Sequence, residues 1–527
     1  MGKHLKFLTA AGLAVLAAGT PASANKIPTT AGTVEGTTSG DGRIQVFKGI
    51  PYAAPPVGDL RWREPQPVKK WDGVKKATEF GARCMQGPIY DDMVFRDPGP
   101  SEDCLYLNVW TPDTGRQAKL PVMVWIYGGG FQAGATSEPR QEGERLAHRG
   151  VVVVSVNYRL GIFGFYTHPE LTKESPHRAS GNYGLLDQAA ALAWVHDNIA
   201  AFGGDAANVT IFGESAGSFS VSALMASPLS RNLIHGAIGE SGAAFGHTLR
   251  TEAHSELDAR NVKFAETIGA KSLEALRAMP AQQLLDAAMK EKKEYRFGLS
   301  VDGYFLPETV AEIFASGKQA HVALLAGWNH DEENYHEFFG DKPATSESFR
   351  AIIKEKAGDR ADRFLKILPA ETDEQARESA GLLATADFIA AGTWKWMEAH
   401  LKTGAAPVYR YRFDLAPPVA AGATGADATP SASHSAEIEY VFGVLDSKKL
   451  PWRPGDRALS EQMGAYWTNF AKTGNPNGTG LPQWPPYSAK DGYQVMFLST
   501  KSKAAPDPER QVYVLFDEMT SQAKPKP

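Results

Sequence analysis

A chain of 527 residues with 43% hydrophobic and 22% charged content has ample material for a large buried core. Its net charge of −5 provides no basic field for nucleic acid, and it carries no RNA- or DNA-binding motif.

At the N-terminus Lys3 and Lys6 precede the apolar stretch Leu8 to Ala18 and the small-residue segment Ala22-Ser23-Ala24. This is the layout of a secretory signal peptide cleaved after Ala24. The stretch is too short to span a bilayer easily, and no other segment is apolar for long enough. Residues 1–24 are therefore expected to be a signal peptide, and residues 25–527 an exported chain, periplasmic or secreted, with no membrane span. Gly32 to Phe47 reads as short strands with turns, a small antiparallel edge ahead of the main body. Export places the two cysteines, Cys84 and Cys104, where thiols pair into a disulfide. The bridge would close a polar loop containing Asp91, Asp92, Arg96, Asp97, Pro98 and Pro100, with a loop-closure effect of about 3 kcal/mol. Such a loop is either a surface staple or a flap fixed over an active-site mouth.

Pro121 to Tyr127 and Val151 to Asn157 are continuous apolar runs, which fit central strands covered on both faces. Tyr127-Gly128-Gly129-Gly130-Phe131 follows directly on the first run. Three glycines there let backbone N–H groups approach a substrate oxygen, so Gly129 and Gly130 are candidate oxyanion donors. A phosphate loop is the competing reading, but no lysine closes a Walker pattern and no spaced dinucleotide fingerprint is present. Leu185 to Ala201 has apolar residues at helical spacing, Phe202-Gly203-Gly204 stops it, and Val209 to Phe212 reads as the next buried strand. Strand, helix, strand alternation predicts a mostly parallel sheet.

Gly213-Glu214-Ser215-Ala216-Gly217 joins that strand to a helix-compatible run, Ser218 to Met225. In this context it is a candidate nucleophile elbow, with Ser215 on the sharp turn and the N–H of Ala216 as a further oxyanion donor. The reversal leaves no room for side chains at Gly213 or Gly217. Gly239-Glu240-Ser241-Gly242-Ala243 breaks the pattern at its last position, and Ser241 is read as a buried, hydrogen-bonded serine.

Ser255 to Glu291 and Ser346 to His400 are helix-rich and would cap the sheet, whereas His321 to Gly327 and Val408 to Phe413 read as strands. Pro417 to Ser433 is an Ala/Gly/Pro/Thr-rich loop, and Ala523 to Pro527 a frayed tail. A serine nucleophile requires a histidine base and a carboxylate, in the chain order serine, acid, histidine after an elbow. Of 13 histidines, His434 follows Ser215 in a loop, ahead of the amphipathic run Ile438 to Phe442. Asp331, Glu332 and Glu333 lie just past a strand end, where parallel sheets place functional loops, and from spacing any of the three could face His434.

In order along the chain, these residues resemble the type-B carboxylesterases, a family that includes cholinesterases and some large lipases. The resemblance takes in Phe47-Lys48-Gly49-Ile50-Pro51-Tyr52-Ala53, Ser101-Glu102-Asp103-Cys104-Leu105, Tyr127 to Phe131, Asn157-Tyr158-Arg159 and Gly181 to Leu185. It continues through Phe202 to Gly217, His434 with Glu437-Ile438, Asn469-Phe470-Ala471 and Gly474-Asn475-Pro476-Asn477. It implies an α/β-hydrolase fold: one domain over 25–527, a central mostly parallel sheet with helices on both faces, and helical cap insertions. It selects Glu332 as the acid, although Glu333 stands where the family has glycine, and it agrees with a Cys84–Cys104 disulfide. The implied chemistry is hydrolysis of a small-molecule carboxylic ester through an acyl-enzyme on Ser215, with no metal and no cofactor. A lipase is disfavoured by the acidic, proline-rich cysteine loop, and a choline esterase by the lack of tryptophan in residues 85–103. A binding protein that has lost its nucleophile is disfavoured by the presence of Ser215, Glu332 and His434. Phe131, Phe219 and Trp328 are candidate pocket walls, alongside side chains of the 417–433 loop; spacing carries no information on the ester or on oligomeric state.

Overall fold

The computed structural model describes residues 25–424 and 429–520. The expected signal peptide and the 523–527 tail lie outside them. Among the described residues an eleven-stranded sheet runs through the molecule. Its strands are β1 (Thr37–Thr38), β2 (Gln45–Pro51), β3 (Tyr106–Thr111), β4 (Leu120–Ile126), β5 (Val152–Val156), β6 (Gly204–Glu214), β7 (Gly236–Glu240), β8 (Ala323–Asn329), β9 (Val408–Phe413), β10 (Gln494–Leu498) and β11 (Lys503–Pro506). The spatial order is β11-β10-β9-β8-β7-β6-β4-β5-β3-β2-β1. From β10 through β5 all neighbours are parallel, and the strands beyond, at both edges, are antiparallel. The valine-rich run of β5 is buried at every position, as a central strand covered on both faces requires.

The expected N-terminal edge divides in two. Lys26–Pro28 pairs antiparallel with Thr33–Glu35 in a separate sheet completed by Val74–Lys76, whereas β1 and β2 join the edge of the large sheet. The helices that position the site are α1 (Tyr183–Asn198), α2 (Ala216–Ala226), α3 (Ala281–Lys290), α4 (Asp373–Thr385), α5 (Ala391–Thr403), α6 (Ile438–Phe442) and α7 (Pro454–Thr473). They lie on both faces of the sheet. A Cβ on Gly239 of β7 would touch Trp396 of α5 and Ser218 of α2, whereas the adjacent Glu240 accepts from Trp467 of α7 at 2.8 Å. Consecutive strand residues point to opposite faces, so α2 and α5 cover one side and α7 the other. Among the described residues no helix is long and apolar enough to cross a membrane.

The turn from β6 into α2 is sterically closed. A Cβ on Gly213 would lie 2.6 Å from the carbonyl oxygen of Ile126 and from the backbone of Gly217. On Gly217 it would lie 2.0 Å from the same oxygen. Both obstacles are backbone, so neither can yield as a flexible side chain does. Ser215, between them, takes φ 53° and ψ −125°, a conformation costly for a residue with a Cβ. Gly217→Ala is expected to destabilise the fold by about 1–3 kcal/mol, read as a lower urea midpoint at unchanged slope. A midpoint equal to the parent's would contradict the close approach.

Candidate active site

The C-terminal ends of β4, β6 and β8 and the loop after β9 meet at one place. Ser215 stands at the tip of the β6–α2 turn, where its N–H donates to the carbonyl of Glu240 at 2.8 Å. His434 Nε2 lies 2.9 Å from Ser215 Oγ, and its Nδ1 lies 2.5 Å from Glu332 Oε2. The other oxygen of Glu332 accepts from Ser241 Oγ at 2.5 Å and from the N–H of Asn329 at 2.6 Å. Three donors thus surround one buried carboxylate, which offsets much of its desolvation.

The acidic trio separates by position. Asp331 accepts from the N–H of Ala432 at 3.0 Å and from Ser431 Oγ at 3.2 Å, pinning the chain just before His434. Glu332 is buried against the histidine. Glu333 turns away and accepts from the N–H of Asn334 at 2.8 Å. It is absent from the residues with positive φ, so its position makes no demand for glycine.

Gly129 and Gly130 have φ of 95° and 62°, and both line the cavity in front of Ser215. Ala216 opens α2, so its N–H has no intrahelical acceptor. Among the described residues none of these three N–H groups is tied to another backbone carbonyl outside the regular elements. Cys84 and Cys104 form a disulfide, and five residues of the loop it closes, Met85, Ile89, Tyr90, Asp92 and Met93, line the same cavity. The loop is therefore a wall of the site, and the face it turns inward is largely apolar rather than acidic.

The cavity is about 680 Å³, within the range of small-molecule sites. Of the expected wall residues only Phe219 lines it. Phe131, in the loop after β4, is fully buried against Phe165, and Trp328, on β8, is buried against Tyr513 and Arg410, so both side chains belong to the core. No described residue of the 417–433 loop lines it; His434 and Ser435 are where that part of the chain enters. Ile438 to Phe442 is a helix buried at every residue, not an amphipathic run, because Glu439 is neutralised inside by Lys448 at 2.7 Å. A π-turn at Ala386–Ala390, between α4 and α5, sets the Phe388 ring edge-on to His434 with centroids 5.1 Å apart.

Three groups near the histidine were not anticipated. Glu214, beside Ser215, places Oε1 3.3 Å from His434 Nε2, and that oxygen is buried without a hydrogen-bond partner. Glu437 is buried and accepts from Asn329 Nδ2 at 2.6 Å. Ser241, expected to be buried and hydrogen-bonded, proves to be bonded to the acid itself. The available signal was a glutamate set directly against an apolar run, as in Phe212-Gly213-Glu214 and Glu437-Ile438, since such acids are seldom solvated. Burial pushes the carboxyl groups of Glu214 and Glu437 upward. Burial pulls His434 down, but the Glu214 and Glu332 charges outweigh it and raise the imidazole above its ordinary range. A proton on Glu214 removes one of the charges that raise His434, so the two groups titrate together.

Residues 23–515 match the model of the carboxylesterase family. This chain belongs to the carboxylesterase family. Curated relatives include fumonisin B1 esterase of Sphingopyxis macrogoltabida, 37% identical over 486 residues covering 88% of this chain and 84% of the relative. Para-nitrobenzyl esterase of Bacillus subtilis is 37% identical over 502 residues, covering 92% and 97%. Among solved structures, a Geobacillus stearothermophilus carboxylesterase superposes with a TM-score of 0.79 at 33% identity, covering 93% of this chain and 99% of the other. The fold is that of the α/β-hydrolases, and the reaction is hydrolysis of carboxylic esters.

Because the Glu214 charge raises His434, this carboxylesterase should lose activity on acidification earlier than one lacking that charge. Glu214→Gln is expected to shift the acidic limb of the kcat/KM profile to lower pH, since His434 then stays neutral further down. An unchanged limb would contradict the coupling.

Proposed function

We propose that this carboxylesterase acts through Ser215 as nucleophile, His434 as general base and Glu332 as the carboxylate that orients His434 and stabilises its cation. The observation that carries the reading is the pair of contacts made by His434, 2.9 Å to Ser215 Oγ and 2.5 Å to Glu332 Oε2. His434 takes the Ser215 proton as Oγ attacks the ester carbonyl. The carbonyl oxygen becomes an oxyanion facing the N–H groups of Gly129, Gly130 and Ala216, each worth about 10²–10³ in kcat in sites of this kind. His434 then passes its proton to the departing alcohol oxygen, leaving the acyl group on Ser215. Water, deprotonated by His434, attacks that acyl carbonyl, and the carboxylic acid leaves as Ser215 regains its proton.

Residues 25–527 are taken as one domain, supported by a sheet whose strands are drawn from residue 37 to residue 506. Export with cleavage after Ala24 is supported by the N-terminal sequence and by the Cys84–Cys104 disulfide, which belongs in an oxidising compartment. Protein recovered after secretion is expected to begin at Asn25 by N-terminal sequencing; recovery in the cytoplasm with Met1 retained would refute export. A lipase-like preference is the second reading, favoured by the apolar inner face of the 84–104 loop.

Ser215→Ala is expected to lower kcat/KM for a short ester by at least about 10⁴-fold. Glu332→Gln should cost about 10³–10⁴-fold and Glu333→Gln no more than about twofold. A larger loss at Glu333 would overturn the assignment of the acid.

A further inference from the structure

The cavity in front of Ser215 carries an excess of positive charge on a chain whose net charge is −5. Lys292, Lys293 and Arg296 follow the C-terminus of α3 and all line the cavity, with their side chains exposed. Among the described residues none of the three has a carboxylate partner, and Glu294, between them, is engaged by Lys263 at 3.1 Å. The acids in the same lining are otherwise occupied: Asp92 is met by Arg140 at 3.3 Å, and Glu214 faces His434.

The segment that carries these cations is held rather than loose. Tyr295 and Phe297, on either side of Arg296, are buried against Phe264, which leaves Arg296 directed outward from that packing. Gln132, two residues after Gly130, donates from Nε2 to the carbonyl of Phe297 at 3.2 Å, and Arg260 donates to the carbonyl of Arg296 at 3.0 Å. The cationic segment is thereby tied to the glycine loop beside the nucleophile. Tyr90, whose hydroxyl lies 3.2 Å from where a Cβ on Gly130 would stand, is within electrostatic reach of Arg296. Ile89, Met93, Phe219, Leu285 and Met289 make much of the remaining wall apolar.

An apolar cavity with the reacting serine at its floor and unpaired cations on its wall fits a molecule with three parts: an ester, a hydrocarbon stretch and an anion. We propose that Lys292, Lys293 and Arg296 form an anion subsite selecting esters that also carry a free carboxylate, of which half-esters of dicarboxylic acids are the simplest. The selection rests on the Ser215 reading for its chemistry, but not for its binding. Exposed ion pairs are individually weak and are screened by salt, so the preference is moderate and depends on ionic strength.

The test compares kcat/KM for ethyl hydrogen suberate with that for ethyl octanoate, in which a methyl group replaces the carboxylate, and extends to the adipate and sebacate half-esters. At low salt the best half-ester is expected to exceed its neutral counterpart by about tenfold. The ratio should fall towards one as salt is added, and in the Lys292→Gln, Lys293→Gln, Arg296→Gln triple variant. Isothermal titration of the same half-ester against the Ser215→Ala protein reads the subsite without turnover, and the triple substitution added to that protein should weaken binding by a similar factor. A preference for the neutral esters, or a ratio and affinity that the triple substitution leaves unchanged, overturns the proposal. Turnover of both esters surviving Ser215→Ala would instead refute the nucleophile while leaving the binding result to stand for the subsite.

Discussion

The contact on which the site depends is the approach of the Ile126 carbonyl to Gly217, close enough that a Cβ there would lie 2.0 Å from the oxygen. It brings the end of β4 against the first turn of α2, with the glycine loop on one side and Ser215 on the other. Because β4 and β6 pair in register, with Gly213 opposite Ile126, the loop that follows β4 is delivered beside Ser215. A Cβ on Gly128 would in turn meet Ser215 Cβ at 2.9 Å. One steric constraint therefore fixes both the turn that carries the serine and the distance from it to the candidate oxyanion donors.

Around the single histidine the protein gathers an unusual amount of buried acid. Glu332 is supplied with donors, whereas Glu214 and Glu437 each keep one oxygen without a hydrogen-bond partner. An ion buried without such partners costs several kcal/mol, and carboxyl groups in that position respond by holding their protons more tightly. The cost in stability comes with an electrostatic environment that raises the proton affinity of His434. Ser241 and Asn329 make this tolerable: the first ties Glu332 to the end of β7, and the second links Glu332 through its N–H and Glu437 through its side chain.

Much of this was legible in the amino-acid sequence where the signal is local. The glycines at 128, 129, 213 and 217 mark places where backbone meets backbone, and β9 occupies Val408–Phe413 as predicted. The resemblance to type-B carboxylesterases separated Glu332 from its neighbours, which spacing left equivalent. What was hidden depends on pairing across the fold. Ser241 reaches Glu332 over 91 positions, and Glu214 comes beside Glu240 only through the register of β6 on β7. Ile438 to Phe442 misled for the same reason: the partner that lets Glu439 be buried is Lys448, which no periodicity within the run reveals. Phe131 and Trp328, expected as pocket walls, are buried instead: the backbone of the glycine loop places the first against Phe165, and strand alternation turns the second inward.

The cavity completes the picture with an apolar flap pinned by the disulfide, a phenyl edge on His434 from the π-turn, and a cationic stretch after α3. These features surround the space in front of Ser215. Catalysis through Ser215 requires covalent attachment of the acyl group to its Oγ. Mixing the enzyme with excess 4-nitrophenyl acetate, quenching in acid within milliseconds and mapping peptides by mass spectrometry tests it most directly. The expected result is an acetyl group on Ser215, formed with a stoichiometric burst of nitrophenol; steady turnover with the acetyl group on another residue, or on none, would contradict it.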